Sequence, residues 1–210
     1  MKLYGVILAG GLATRMGGSE DQQLDKGRLT LGGSTLLDHV IHRLAPQVDR
    51  MALNANGDAA RFADTGLPIL PDSIDGFAGP LAGVLAGMDW AAGEGATHIL
   101  TAAADTPFFP TDLASRLTCA SEAEGSPIAL AATHDPDRSA MRQPTFGLWP
   151  VALREDLRTA LTGGLRKVVL WTDQHGAALA PYAPDPFDPF FNVNTPDDLA
   201  TAETLLKGAR

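Results

Sequence analysis

The amino-terminal segment from Lys2 to Lys26 carries residue types that bind a chain of phosphates. An apolar run from Leu3 to Ala9 is typical of a buried strand, and it ends at Gly10-Gly11. Glycine permits positive φ angles and lets phosphate oxygens approach backbone N–H groups closely. Arg15 can bind two phosphate oxygens with its guanidinium fork, and Lys26 acts as a point charge. The segment therefore predicts a site for a bound triphosphate.

This loop matches neither of the two common phosphate-binding fingerprints. A P-loop needs Lys and then Ser or Thr directly after its last glycine, whereas Leu12 and Ser19 follow the two glycine pairs here. The G-x-G-x-x-G pattern of dinucleotide-binding folds is absent as well. A flexible turn after a strand is the alternative interpretation of Gly10-Gly11, and the downstream cations favour anion binding.

Three more polar residues stand where predicted strands end. Asn54 closes the second strand, Asp72 follows the third, and Asp105 follows the fourth. If these strands are parallel, their carboxyl ends meet at one edge of the sheet, where ligands bind. A carboxylate such as Asp105, facing a phosphate loop, can hold Mg²⁺, which takes few protein ligands and keeps waters and phosphate oxygens. Each of the three residues has an alternative role in starting a turn.

The elements that must position these residues alternate along the first half of the chain. Predicted strands cover 3–9, 49–54, 67–70 and 97–103, and predicted helices cover 34–44, 59–64, 80–90 and 112–121. In the second half, strands at 128–132 and 145–149 flank a charged loop at 134–142, a helix covers 151–161, short strands cover 167–171 and 190–193, and a helix starting at 195–198 runs to 206. The alternation predicts an α/β fold with a mainly parallel central sheet, helices on both faces, and one antiparallel element in the second half.

Length and composition narrow the classes of partner. The 210 residues are 45% hydrophobic and 20% charged, with no linker or repeat, which predicts one domain over 1–210. The net charge of −9 argues against nucleic acid or an anionic membrane as the main partner. The lone cysteine, Cys119, excludes an internal disulfide and is expected to be a small core residue. No apolar stretch is long enough to span a bilayer or to serve as a secretion signal, so we expect a cytoplasmic protein.

The first loop, L-A-G-G-x-x-x-R-M-G-G followed by D-K-G, resembles the signature of the molybdenum cofactor guanylyltransferases. These enzymes belong to the wider nucleotidyltransferase family, which has a Rossmann-like fold. Here Ser19 to Leu24 stand between the two halves of the signature, where the family usually has about one residue, so the loop that must place Lys26 is longer.

The resemblance extends along nearly the whole chain through five further motifs. They are N-A-N at Asn54–Asn56, an acidic residue before Ser at Asp72-Ser73, G-P-L-A-G at Gly79–Gly83, D-T-P at Asp105–Pro107, and N-V-N-T-P at Asn192–Pro196.

The resemblance implies an activity and a set of site residues. The reaction would transfer GMP from GTP to molybdenum-molybdopterin, release pyrophosphate and use Mg²⁺, with partner proteins that deliver or receive the cofactor. The residues implied to contact GTP are Leu8, Ala9, Gly10, Gly11, Lys26, Asn54, Asp72, Gly79, Pro80, Leu81 and Asp105. Arg15, Lys26 and Asp105 would be catalytic, and Asp105 would also bind the metal. Asn192 and Asn194 would lie on the acceptor side, although a strand end and a helix cap are alternative roles for them.

Three alternative functions remain open at the level of sequence. A cytidylyltransferase acting on the same pterin usually carries L-A-A-G and D-Q-P or D-M-P, whereas Gly10-Gly11 and Asp105-Thr106-Pro107 favour guanine. Other nucleotidyltransferases, such as those that make sugar nucleotides, are commonly longer. A nucleotide-binding regulator without turnover is the non-enzymatic alternative, and the long Ser19 to Leu24 segment is its best support.

Overall fold

The computed structural model describes residues 1–10, 25–74, 76, 79–133 and 140–208. The strands within these ranges are β1 (Leu3–Leu8), β2 (Thr30–Leu31), β3 (Ser34–Thr35), β4 (Arg50–Asn54), β5 (Ile69–Leu70), β6 (His98–Ala103), β7 (Ile128–Thr133), β8 (Met141–Pro150) and β9 (Ala177–Tyr182). The α-helices are α1 (Leu36–Leu44), α2 (Pro80–Gly93), α3 (Leu113–Glu124), α4 (Arg154–Thr162), α5 (Val168–His175) and α6 (Pro196–Gly208). Short 3₁₀ turns cover Lys26–Arg28, Ala45–Gln47, Ala59–Thr65 and Val151–Leu153.

Seven of these strands form one sheet in the order β5-β4-β1-β6-β8-β7-β9. Strand β1 pairs in parallel with β4 and β6, and β5 extends the parallel part beyond β4. Strand β8 runs antiparallel to both of its neighbours, and β9 is parallel to β7. The sheet therefore confirms the prediction of a mainly parallel architecture with one antiparallel strand in the second half.

Strand β1 shows why helices cover both faces of the sheet. Its alternate residues Leu3 and Ile7 belong to the core with α1 and α3, while Tyr4, Val6 and Leu8 belong to the core with α2, α4 and α5. A strand buried on both sides has a continuous apolar sequence, which is typical of the centre of a parallel sheet. Among the described residues, no helix combines the length and apolar character that crossing a membrane requires.

Helix α2 packs unusually close to the sheet beneath the carboxyl ends of β1 and β4. A Cβ atom at Gly83 would lie 2.2 Å from Oδ1 of Asn54, and one at Gly87 would lie 2.7 Å from Cγ2 of Val6. Pro80 occupies the first turn of the helix, where its missing N–H costs nothing. The small residues of α2 therefore leave room for the Asn54 side chain between helix and sheet.

Two predicted strands in the second half are wrong, and strand β9 of that half was not predicted. Lys167 to Trp171 leads into helix α5, in which Val168 and Trp171 are buried one turn apart; a short apolar run of this kind fits either structure. Phe190 to Val193 is an irregular segment. Strand β9 was missed because its buried positions include alanines, which give a weak strand signal.

Two smaller expectations also need correction. Cys119 is exposed on helix α3 and does not lie in the core. Strand β8 begins at Met141, so the last two residues of the expected charged loop are strand residues. Residues 134–139 of that loop lie outside the described residues.

Candidate active site

A cavity of about 840 Å³ opens at the carboxyl ends of the parallel strands. It is lined by Leu8, Gly10, Asn54, Asn56, Pro71, Asp72, Ile74, Gly76, Gly79, Pro80, Ala103, Asp105 and Thr145. Seven of the residues singled out from the sequence are among them: Leu8, Gly10, Asn54, Asp72, Gly79, Pro80 and Asp105. Of the others, Leu81 is buried in the core against β1, and Ala9 is partly buried between two lining residues. Gly11 and Arg15 lie outside the described residues.

The polar lining residues form a row along the edge of the sheet. Asp72 follows β5, Asn54 and Asn56 lie at the end of β4, Gly10 follows β1, and Asp105 follows β6. Neighbouring strands lie about 4.8 Å apart, so the three steps from β5 to β6 separate the ends of the row by roughly 14 Å. The row thus has a carboxylate at each end and amides between them.

At the β5 end, two side-chain amides hold the Asp72 carboxylate. Asn54 Nδ2 donates hydrogen bonds to Oδ1 of Asp72 at 2.9 Å and to the Leu70 carbonyl at 3.0 Å. Asn56 Nδ2 donates to Oδ2 of Asp72 at 2.8 Å, and the Asp72 backbone N–H donates to Oδ1 of Asn56 at 2.9 Å. The carboxylate is therefore fixed in orientation by neutral donors and keeps acceptor capacity for a ligand.

At the β6 end, Lys26 and Asp105 form a looser pair. Lys26 Nζ lies 3.8 Å from Oδ2 of Asp105, and the two side chains are 17% and 22% exposed. Burial raises the pKa of the Asp105 carboxyl above its ordinary value, and the nearby charge of Lys26 opposes this shift. A partly buried carboxylate beside one cation is poised to accept a further positive charge. The longer Ser19 to Leu24 segment, which lies outside the described residues, thus does not separate Lys26 from Asp105.

The chain from Asp188 to Thr195, here called the C-terminal segment, crosses the same edge of the sheet. It is attached to the end of β7, where Thr133 Oγ1 donates to Oδ1 of Asp188 at 3.1 Å. It is attached beyond β6, where the Val193 N–H donates to the Asp105 carbonyl at 2.9 Å. Nearby, Thr106 Oγ1 donates a hydrogen bond to Oδ1 of Asn192. These hydrogen bonds therefore hold the C-terminal segment against the backbone around Asp105.

The C-terminal segment also holds Lys26 through Asn194. Lys26 Nζ donates to Oδ1 of Asn194 at 2.6 Å. The backbone N–H groups of Asn194 and Thr195 each donate to Oδ2 of Asp198 at 2.9 Å, and the Asp198 N–H donates to Thr195 Oγ1 at 3.1 Å. This reciprocal capping arrangement starts helix α6 and fixes the Asn194 backbone. Asn194 therefore lies beside the predicted phosphate site, and the helix cap itself is Thr195 with Asp198.

A partly buried ion pair, between Arg61 and Asp25, connects the two ends of the row. Arg61 donates to Oδ2 of Asp25 at 2.7 Å and to the Asn56 carbonyl at 2.6 Å. The Asp25 side chain is only 10% exposed. Asp25 directly precedes Lys26. The hydrogen bonds of Arg61 therefore connect the turn that carries Lys26 with the loop that carries Asn56.

Sequence reasoning did not single out several of these residues. Asn56 belongs to the N-A-N motif and Asp25 precedes Lys26 in D-K-G, so both motifs held a signal that was not used for them. Thr145 was predicted only as the first residue of a strand. Because that strand is antiparallel to β6, its beginning lies at the same edge of the sheet as the carboxyl end of β6. This relationship would have placed Thr145 near the cavity. Nothing local in the sequence marks Arg61.

The donor set was tested for its fit to a metal ion. Within the described part of the chain, His, Cys, Asp and Glu side chains form no group of three or more that could hold a metal. Among the described residues, Asp105 is the carboxylate that lines the cavity at the end near Lys26. A single carboxylate fits Mg²⁺, which readily completes its shell with phosphate oxygens and water, and does not fit a structural zinc site.

Comparison with known proteins gives a consistent set of relatives. Residues 5–177 match the MobA-like NTP transferase domain. The chain is 52% identical over 204 residues to the molybdenum cofactor guanylyltransferase of Bradyrhizobium sp. (strain ORS 278), covering 96% of this chain and 92% of that protein. It is 49% identical over 207 residues to the molybdenum cofactor guanylyltransferase of Cereibacter sphaeroides, covering 99% of this chain and 98% of that protein.

Solved structures show the same fold at low sequence identity. Molybdopterin-guanine dinucleotide biosynthesis protein A from Archaeoglobus fulgidus is similar with a TM-score of 0.74 at 20% identity, over 98% of this chain and 99% of that one. The 4-diphosphocytidyl-2C-methyl-D-erythritol synthase from Anaerococcus prevotii is similar with a TM-score of 0.73 at 12% identity, over 98% of each chain.

Proposed function

The chain belongs to the MobA-like NTP transferase family, and from this membership we propose that it transfers GMP from GTP to molybdenum-molybdopterin and releases pyrophosphate. The observation that carries the proposal is the cavity at the ends of β5, β4, β1 and β6, lined at one end by Asp72 and at the other by Asp105. Relatives that share about half of their residues with this chain over nearly its full length bear the name of this activity.

The proposed chemistry is an in-line displacement at the α-phosphorus of GTP. An oxygen of the acceptor's terminal phosphate forms a bond to the α-phosphorus, and the bond from that phosphorus to the bridging β-oxygen breaks. Pyrophosphate leaves with the bonding electron pair. The protein supplies no nucleophile in this scheme; its contribution is to position the two phosphates and to stabilise the developing charge.

Lys26 is proposed to stabilise the charge that develops on the departing pyrophosphate. Its ammonium group lies 3.8 Å from Oδ2 of Asp105, which lines the cavity, and its hydrogen bond to Asn194 restricts where that group can point. A pre-oriented cation costs little reorganisation at the moment of reaction. Arg15 is proposed to act with Lys26.

Asp105 is proposed to hold Mg²⁺ when nucleotide is bound. The ion would neutralise charge on the α-phosphate and template its geometry. Asp105 suits this role because it is a partly buried carboxylate whose neighbouring cation, Lys26, lies 3.8 Å away and so does not form a close ion pair with it. A direct test is the binding of Mn²⁺ together with GTP, which Asp105→Asn should weaken even where no transfer is measured.

Asn192 and Asn194 are proposed to face the acceptor side of the site. Support comes from the C-terminal segment, which carries both residues past Asp105 at the edge of the cavity region. Their side chains also serve the protein itself, since Asn192 accepts from Thr106 and Asn194 accepts from Lys26.

The experiment that tests the function is a nucleotide panel with the purified protein, Mg²⁺ and molybdenum-loaded molybdopterin. Pyrophosphate release and a dinucleotide product with GTP, and much less with CTP and ATP, are the expected result. A preference for CTP would instead identify a cytidylyltransferase. Binding of GTP without pyrophosphate release would favour a nucleotide-binding regulator.

A further inference from the structure

The side chains of Asn56 and Asp72 form a reciprocal pair in the wall of the cavity. The amide of Asn56 donates to the carboxylate of Asp72 at 2.8 Å, and the backbone N–H of Asp72 donates back to the Asn56 carbonyl oxygen at 2.9 Å. Two bonds of opposite direction fix both the position and the rotation of a side chain. Together with the 2.9 Å bond from Asn54, they leave the Asp72 carboxylate one orientation.

This pair lies at the end of the row opposite Lys26. Asp72 follows β5, whereas Lys26 and Asp105 meet beyond β6, with β4 and β1 between them. If the phosphates bind beside Lys26, the base of the nucleotide must extend towards β5 and β4. The Asp72 carboxylate is therefore placed to meet the base.

The remaining acceptor capacity of Asp72 matches guanine. An ionised carboxylate has about four lone-pair positions, and among the described residues Asn54 and Asn56 occupy one on each oxygen. Two adjacent acceptors are left. Guanine presents two adjacent donors, N1–H and the 2-amino group, whereas adenine at N1 and cytosine at N3 present an acceptor that a carboxylate repels.

We propose that Asn56 is a positioning residue that sets the preference for guanine by holding the Asp72 carboxylate in register with N1–H and the 2-amino group. The proposal rests on the proposed function, because it takes GTP as the donor nucleotide. Asn54 shares the task, but it is buried and also bonds to the Leu70 carbonyl, so its loss would disturb the sheet. The Asn56 side chain is exposed and its hydrogen bonds go to Asp72, which makes it the cleaner residue to change.

The test compares three donor nucleotides with the full-length protein: GTP, inosine triphosphate, which lacks only the 2-amino group, and 2′-deoxyGTP. In Asn56→Ala, kcat/KM for GTP should fall about tenfold and that for inosine triphosphate should fall less, because inosine donates only N1–H to the carboxylate whereas guanine also donates its 2-amino group. The ratio of kcat/KM for GTP to that for inosine triphosphate should thus fall, and the ratio of GTP to 2′-deoxyGTP should stay constant. Dissociation constants for the same nucleotides give a readout that does not need turnover.

Two further variants make the comparison decisive. Asn56→Asp keeps the size of the side chain but replaces its donor with an acceptor, so it should also lower the ratio of GTP to inosine triphosphate. This variant tests the role of Asn56 if Asn56→Ala does not fold. Gln47→Ala removes a side-chain amide with comparable hydrogen bonds, to the Arg43 and Pro110 carbonyls, in the turn before β4. This control should leave both ratios unchanged even if it lowers stability.

The outcomes separate this proposal from the proposed function. An unchanged ratio of GTP to inosine triphosphate in both Asn56 variants would overturn the proposal. A fall only in the ratio of GTP to 2′-deoxyGTP would overturn it too, because the carboxylate would then contact the ribose. If the unaltered protein transferred no GMP at all, the proposed function would fail, and the binding ratios would still decide the role of Asn56.

Discussion

The ammonium group of Lys26 lies 2.6 Å from Oδ1 of Asn194, a residue that stands 168 positions later in the chain. This contact joins the two ends of the sequence at the edge of the sheet. It gives the C-terminal segment a direct influence on the cation that is proposed to bind the phosphates.

Replacement of Asn194 by alanine should therefore impair catalysis more than stability. Lys26 would lose the acceptor that orients it, and kcat/KM for GTP should fall about tenfold, the value of one charge-assisted hydrogen bond. Steady-state kinetics with GTP would measure this. Thr201→Ala is a matched control, because the Thr201 hydroxyl donates to the Asp197 carbonyl of the same helix. Equal activities in the two variants would contradict the positioning role of Asn194.

The carboxylate of Asp198 should contribute stability that depends on pH. Hydrogen bonds from the backbone N–H of Asn194 and from Thr195 hold the pKa of Asp198 below its ordinary value. Because the folded-state pKa is lowered, the contribution is fully present above the unfolded pKa and is lost as the pH falls through the lower, folded value.

Asp198→Ala should lower the free energy of unfolding by about 1 kcal/mol at neutral pH, as loss of a helix cap does. Urea denaturation of both proteins at several pH values would measure the difference. It should stay constant down to about pH 4 and shrink below it. A difference that instead grew on acidification would show that the carboxylate is not stabilised in its charged form.

The ion pair of Arg61 with Asp25 should stabilise both the fold and the site. Arg61→Ala leaves the Asp25 carboxylate, which is 10% exposed, without its cation. We expect a loss of about 2 kcal/mol in unfolding free energy, less than for a fully buried pair because Arg61 is 32% exposed. Affinity for GTP should fall as well, since the turn that carries Lys26 is released.

Arg154→Ala provides the comparison for Arg61. Arg154 pairs with Glu155 at 3.0 Å on the surface, with side chains 40% and 63% exposed. Arg154→Ala should lower the free energy of unfolding less than Arg61→Ala does, and it should leave the affinity for GTP unchanged. Equal effects of the two substitutions would show that the ion pair of Arg61 with Asp25 stabilises the protein no more than an exposed surface pair does.

Two glycines in the same helix should respond to alanine in opposite directions. A Cβ at Gly83 would lie 2.2 Å from the Asn54 side chain, so Gly83→Ala must push apart α2 and the end of β4 at a cost of about 1–3 kcal/mol. A Cβ at Gly93 meets nothing within 4 Å, so Gly93→Ala should be neutral or stabilise the helix by up to about 1 kcal/mol. Thermal unfolding and GTP titration of both variants would check this. A tolerated Gly83→Ala with normal GTP affinity would contradict the close fit around Asn54.

The sequence predicted the parallel half of the molecule better than the second half. Strands β1 and β6 are apolar runs that end at Leu8 and Ala103, and the turn residues that follow them, Gly10-Gly11 and Asp105-Thr106-Pro107, favoured a strand. The run at 167–171 is equally apolar but short, and only its packing against α4 and the sheet makes it helical. Local pattern cannot supply that tertiary information.

Some residues of the candidate site could be predicted from the sequence, and others could not. Asp105, Asp72 and Asn54 could be proposed because each stands at the end of a predicted strand. The contacts of Lys26 with Asn194 and of Arg61 with Asp25 join residues far apart in the chain, and no periodicity or motif connects them. Only the folded structure shows that these partners support the proposed site residues.

The most direct test of the account is the transfer of labelled GMP from α-labelled GTP to molybdenum-loaded molybdopterin, measured for the unaltered protein and for Asp105→Asn. We expect labelled dinucleotide product from the unaltered protein and a loss of at least about a hundredfold in the variant, because the partly buried carboxylate beside Lys26 is the proposed anchor for the metal and the α-phosphate. Absence of labelled product from the unaltered protein, or equal rates for the two proteins, would contradict the account.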